Sequence, residues 1–141
     1  MSTLTAHFDL PLDHTAPGWA RGAVAAVLGG WGLRDQQWLD AAVTVVSELV
    51  SNAVRHGGGE IVVDVEAHGG RVIVSVADGS SVVPRPRRPD GSGGLGLTII
   101  EAYTVRWHVE THEGGKRVRA ELPPCPGDTI KAGGTIRTEE S

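Results

Sequence analysis

The run from Asp35 to Gly57 limits the fold more than any other stretch, because its apolar residues recur at the period of an α-helix. At about 100° per residue, Leu39, Ala42, Val43, Val46, Leu49, Val50 and Ala53 gather on one face, and Glu48, Asn52, Arg55 and His56 line its flank. Asp35 is placed to cap the start, and Gly57-Gly58-Gly59 stops the run. Such a helix holds its shape only by covering an apolar surface, so its polar stripe is set at the border of a core.

The rest of the chain supplies that surface. Ala6 to Leu12 alternates weakly and reads as a first strand, with Pro11 at its end. Pro17 to Trp31 carries Trp19, Ala20, Ala23, Val24, Val27 and Leu28 at helical spacing, with Thr15 as a cap and Gly32 as a terminator. Glu60 to Ala67 and Arg71 to Ala77 alternate valine and isoleucine with polar residues around His68-Gly69-Gly70, which predicts a hairpin. Ser80 to Ser92 holds three prolines and three arginines and reads as a mobile loop. Leu95 to Ala102 reads as a short helix. A second hairpin follows, Val105 to Thr111 and Arg117 to Leu122 around Glu113-Gly114-Gly115.

This order predicts an α+β fold: a two-layer sandwich with a mixed, mostly antiparallel sheet and helices on one face. A chain of 141 residues builds one core, so residues 1–123 form one domain. Residues 124–141 have almost no large apolar side chains to offset the entropy of ordering and read as a disordered tail. A net charge of -4 and a pI near 5.8 argue against a direct nucleic-acid binder, which needs clustered cations against phosphate. Cys125 is the single cysteine, which excludes an internal disulfide. No apolar run reaches the roughly 20 residues that span a bilayer, and Met1 to Leu12 lacks the order of a signal peptide. The expected place is the cytoplasm, away from any membrane.

Glu48 and Asn52 lie one helical turn apart. A carboxamide oxygen suits Mg²⁺, which takes hard donors and shares its shell with water and phosphates. A nearby glutamate can orient or deprotonate a hydroxyl that attacks a γ-phosphate. Asp78-Gly79 closes an apolar strand, and a carboxylate there accepts a hydrogen bond from the amino group of adenine, whereas the guanine carbonyl would face it as a second acceptor.

Gly91 to Gly96 spells G-x-G-x-x-G, but Pro84 to Asp90 precedes it where a dinucleotide fold needs a strand. A glycine lid over phosphate, with the next helix N-terminus beside it, fits better. Gly114-Gly115-Lys116 is not a Walker A loop, since the first glycine and the final Ser or Thr are missing. His108 and His112 fall in a strand and read as exposed side chains. Arg85, Arg87 and Arg88 read as solubilising, with a phosphate or partner contact as the alternative. Trp19, Trp31 and Trp38 sit where packing against the core or an interface is expected, which leaves a homodimer open.

Together, Glu48 with Asn52, Asp78-Gly79 and the glycine segment resemble the Bergerat ATP-binding fold of the GHKL superfamily. The closer resemblance is to the small bacterial anti-sigma-factor serine/threonine kinases. It covers about residues 6–122, with Trp31-Gly32-Leu33 and Gly114-Gly115-Lys116 inside it. The resemblance implies Glu48 as catalytic base, Asn52 as Mg²⁺ ligand, Asp78 and Gly79 at adenine, and Gly94, Leu95, Gly96 and Leu97 at the phosphates. It implies ATP and Mg²⁺ as cofactors, and a sigma factor and an anti-sigma-factor antagonist as partners. The antagonist would receive the phosphate; the alternative is an ATP-binding module that sequesters the sigma factor without significant kinase activity. Two positions depart from the pattern: Asp78-Gly79-Ser80-Ser81 lacks the second glycine of the superfamily's box, and Arg119 stands where relatives often carry an aromatic residue.

Overall fold

Two tight turns set the sheet. Gly69–Gly70 has φ of 53° and 90°, and Glu113–Gly114 has φ of 46° and 84°. Positive φ at both central residues matches the twist of a two-residue hairpin, and glycine takes three of these four places because it adopts that backbone without steric penalty.

The computed structural model describes residues 3–56, 58–80 and 96–127. In chain order the elements are β1 (Thr3–Leu10), α1 (Ala16–Gly30), α2 (Gln36–His56), β2 (Ile61–His68), β3 (Arg71–Asp78), α3 (Gly96–Tyr103), β4 (Arg106–His112) and β5 (Gly115–Glu121). The sheet order is β1-β2-β3-β5-β4, and all four pairings are antiparallel. β3 and β4 therefore run in the same direction, with β5 inserted between them and α3 in the connection.

The helices lie on one face. Ile61, Val63 and Val65 of β2, Val72, Val74 and Val76 of β3, and Val118 and Ala120 of β5 point into the core with Val24 and Leu28 of α1, Val46 and Val50 of α2 and Ile100 of α3. α2 is buried over a wider arc than one stripe. Val45 and Ser47 are buried as well, because α1 flanks the helix on one side, α3 on the other, and the sheet lies beneath.

The ends of the helices follow from particular residues. The Asp35 carboxylate accepts from the Trp38 amide at 2.8 Å, the expected N-cap of α2. α1 ends with the Leu33 amide reaching back to the Leu28 carbonyl at 3.1 Å across Gly32, whose φ is 96°. Thr15 does not cap α1 with its side chain; its hydroxyl donates to Asp13. Trp38 is buried and donates to the Pro123 carbonyl at 2.6 Å, and Trp31 packs on the core, but Trp19 is 65% exposed. Cys125 also packs against the core, beyond the boundary expected at residue 123. The proline-arginine loop expected from Ser80 to Ser92 falls, from residue 81 on, outside the described residues, as does the tail from residue 128. No helix among the described residues is long and apolar enough to cross a membrane.

Candidate functional site

Three backbone segments converge where β3 ends. The Gly79 amide donates to the Gly58 carbonyl at 2.6 Å, tying the end of β3 to the segment that follows α2. A Cβ on Gly79 would lie 2.5 Å from that carbonyl oxygen, and one on Gly115 would lie 2.0 Å from the Asp78 carbonyl oxygen. Only glycine permits both approaches. They hold the last turns of α2, the end of β3 and the start of β5 at one end of the sheet.

Asp78 sits in this junction on the helix-facing side, 6% exposed. It is not an isolated acceptor. Register pairs it with Lys116, itself 4% exposed, whose ammonium donates to Oδ2 at 2.8 Å and to Oδ1 at 3.0 Å. The Ser80 amide donates to Oδ1 at 2.7 Å. A buried carboxylate needs such partners, because an unpaired charge away from water is strongly disfavoured.

Glu48 and Asn52 are half-buried on α2. Glu48 makes no hydrogen bond or ion pair with another described residue. The Asn52 Oδ1 accepts from the exposed Arg55 guanidinium at 2.6 Å. That oxygen fits Mg²⁺ as a single hard ligand, since a Mg²⁺ bridged to phosphates needs only one or two protein oxygens, and an exposed arginine can swing away. No group of three or more acidic, histidine or cysteine side chains suited to a metal exists among the described residues.

Gly96 opens α3 and Leu97 is buried near its start, whereas Gly94 and Leu95 lie outside the described residues. His108 and His112 are on β4, on the open face of the sheet, beside Glu110 and Arg117. A groove of about 460 Å³ lies at the other end of α2 between Trp38, Tyr103 and Pro123. A depression of about 210 Å³ is bordered by Asp78, Gly79 and His112 and by the open-face residues Val62 and Ala77.

Sequence reasoning missed Lys116. The second hairpin was expected to turn through Gly115 and resume at Arg117, but the turn takes only Glu113 and Gly114, and Lys116 becomes a strand residue opposite Asp78. The two-residue hairpin rule was the signal available.

The family of histidine kinase-like ATPase domains matches residues 10–122 of the chain. Among solved structures, the RsbU and RsbW domains of Rv1364c from Mycobacterium tuberculosis match at 24% identity with a TM-score of 0.68, over 86% of this chain and 32% of that chain. The chain thus spans about a third of that structure, and the likeness is one of fold. The histidine kinase domain of the E. coli osmosensor EnvZ matches at 21% identity over 96% of this chain and 95% of that one, with a TM-score of 0.46. No curated protein matches the chain.

Proposed function

The chain belongs to the family of histidine kinase-like ATPase domains, and from that premise we propose that it is an ATP-binding regulator that phosphorylates a serine or threonine of a small antagonist protein and holds a sigma factor. The observation that carries this reading is Glu48: a half-buried carboxylate with no partner among the described residues, one turn from Asn52 and on the helix that leads into Gly58, whose carbonyl accepts from the Gly79 amide beside Asp78. The fold shared with a structure that contains an RsbW domain supports it.

In this reading Asp78 receives the base, and Gly94 to Leu97 approach the phosphates. Glu48 takes the proton of the attacking hydroxyl as its oxygen bonds to the γ-phosphorus and the bond to the β-phosphate oxygen breaks. Asn52 would hold Mg²⁺, which when bound neutralises charge on the phosphates.

The test is transfer of labelled phosphate from ATP to a candidate antagonist. Glu48→Ala should retain nucleotide binding while transfer falls by roughly 10² to 10⁴. Asn52→Ala should instead weaken Mg²⁺-dependent ATP binding. Wild-type protein that binds ATP and a sigma factor but transfers nothing, and matches Glu48→Ala in both, would replace the kinase with the sequestering module.

A further inference from the structure

The chain that follows β5 is fastened down before it turns. Leu122 is buried, the Pro123 carbonyl accepts from the Trp38 indole at 2.6 Å, and Cys125 packs against the core. Pro126 and Gly127 then form a turn, and the Gly127 φ of 71° matches the position that follows proline in a type II turn. A turn of that kind reverses the chain. The stretch it turns back on is part of the groove of about 460 Å³ at the start of α2: Pro123 and Pro126 line it with Trp38 and with Tyr103, the last residue of α3 and 43% exposed.

The charge in this groove has one sign. Asp35 and Asp40 line it, and among the described residues no lysine, arginine or histidine does. Asp40 is exposed and accepts at 2.8 Å from Gln36, a neutral amide that does not compensate its charge. The residues that come after the turn are Asp128-Thr129-Ile130-Lys131. They bring one apolar side chain and then one cation to the edge of an apolar, anionic groove.

We propose that Thr129-Ile130-Lys131 of this same chain dock in the groove, with Ile130 against Tyr103 and the prolines and the Lys131 ammonium at Asp40. The reach is sufficient. From Gly127 to Lys131 an extended chain spans up to about 13 Å, and the groove follows α2 from Asp35 to Thr44, about 13 Å at a helical rise of 1.5 Å per residue. A free peptide with one isoleucine and one lysine would not offset the entropy of ordering. The tethered segment starts beside Pro126, a residue of the groove itself, so loop closure costs little and the local concentration of Ile130 is high. Docked in this way, the segment straps α2 to the end of α3. The contact lies at the opposite end of α2 from Asp78 and depends on no reading of the nucleotide site.

Lys116 and Lys131 are the only lysines of the chain, and Lys116 is 4% exposed and paired with Asp78. Carbodiimide coupling of amines to carboxylates in the full chain therefore reads Lys131 alone among the lysines. Mass spectrometry should find an intramolecular link from Lys131 to Asp40 or to Asp35, the groove's other carboxylate. Hydrogen exchange gives the second arm: the Ile130 and Lys131 amides should exchange at least about tenfold more slowly than in an unstructured peptide of the same sequence. Asp40→Lys, a change at an exposed position, should remove that protection, and Asp40→Lys combined with Lys131→Asp should restore it, because opposite charges meet again. Wild-type amides that exchange at the peptide rate, protection that survives Asp40→Lys, or a Lys131 that links only to acids outside the groove each overturn the proposal. Links to Asp40 found only between two chains also overturn it and give the groove to the segment of a second copy.

Discussion

The two faces of the sheet hold the same kind of interaction under opposite conditions. On the helix-covered face, Asp78 and Lys116 form a buried ion pair, the next pair on that face after Val76 and Val118. On the open face, carboxylates alternate with histidines and arginines across the strands: His7 with Asp64 at 2.8 Å, His68 with Glu66 at 2.8 Å, Arg71 with Glu121 at 2.9 Å and Arg119 with Glu66 at 3.4 Å. The open face dissolves one side of a sheet whose other side is a core. Water screens its pairs, so each contributes little to stability. Among the described residues the covered face carries a single, buried pair, and there the two charges depend on each other.

Removing one member of each kind of pair separates the faces most sharply. Lys116→Ala leaves Asp78 buried without its counter-ion and should destabilise the fold by about 3–5 kcal/mol in denaturant unfolding. The paired replacement Asp78→Leu with Lys116→Met should recover most of that loss, since two apolar side chains suit the site better than one lone charge. If Lys116→Ala were as stable as wild type, the pair would be solvated and the contrast between the faces would fail.

The helix-covered face was the more legible in sequence. Ala42, Val46, Leu49, Val50 and Ala53 of α2 are buried as the helical period required, and Asp35 caps where its position said. Leu39 and Val43, read onto the same stripe, are only half-buried, and Val45 is buried although it lies off the stripe. Periodicity reports one surface, whereas α2 touches three. Glu48, Asn52 and Asp78 were visible because each sits at a local landmark, a helix flank or a strand end. Lys116 was not, because its partner is 38 residues away and only strand register brings them together. Trp19, expected to pack on the core or at an interface, faces outward from α1, so of those two readings the core does not hold it.

A weaker effect belongs to the middle of the open face. Arg119 lies across from Ser75 on β5, and its guanidinium reaches Glu66 at 3.4 Å, with both side chains about a quarter exposed (24% and 23%). The hydrogen bond from His68, opposed by partial burial and helped by the Arg119 charge, holds the Glu66 carboxyl below the usual carboxylate range. A lowered carboxyl pKa contributes stability that is present above its unfolded value and lost as pH falls through the folded one. Arg119→Ala should therefore cost no more than about 1 kcal/mol near neutral pH, against several for Lys116→Ala. A loss equal to that of Lys116→Ala would mean that the open face is covered in solution.

The smallest effect is at the edge, where His7 of β1 faces Asp64 of β2. The hydrogen bond that His7 donates to Asp64 is the main cause that raises the imidazole pKa above 6.5, and the charges of Asp64 and Asp9 act in the same direction. His7 is fully exposed, so the consequence is a titration rather than a measurable change in unfolding. A raised histidine pKa adds stability that is complete below 6.5 and disappears as pH rises through the folded value. NMR of the ring protons should place the His7 midpoint above 6.5, and Asp64→Asn should bring it down toward 6.5. Because the pair is solvated, added salt should also lower the midpoint in wild type. A midpoint that ignores both Asp64→Asn and salt would show that the open-face pairs do not sense one another, and the alternation of charge across that face would then be a matter of solubility alone.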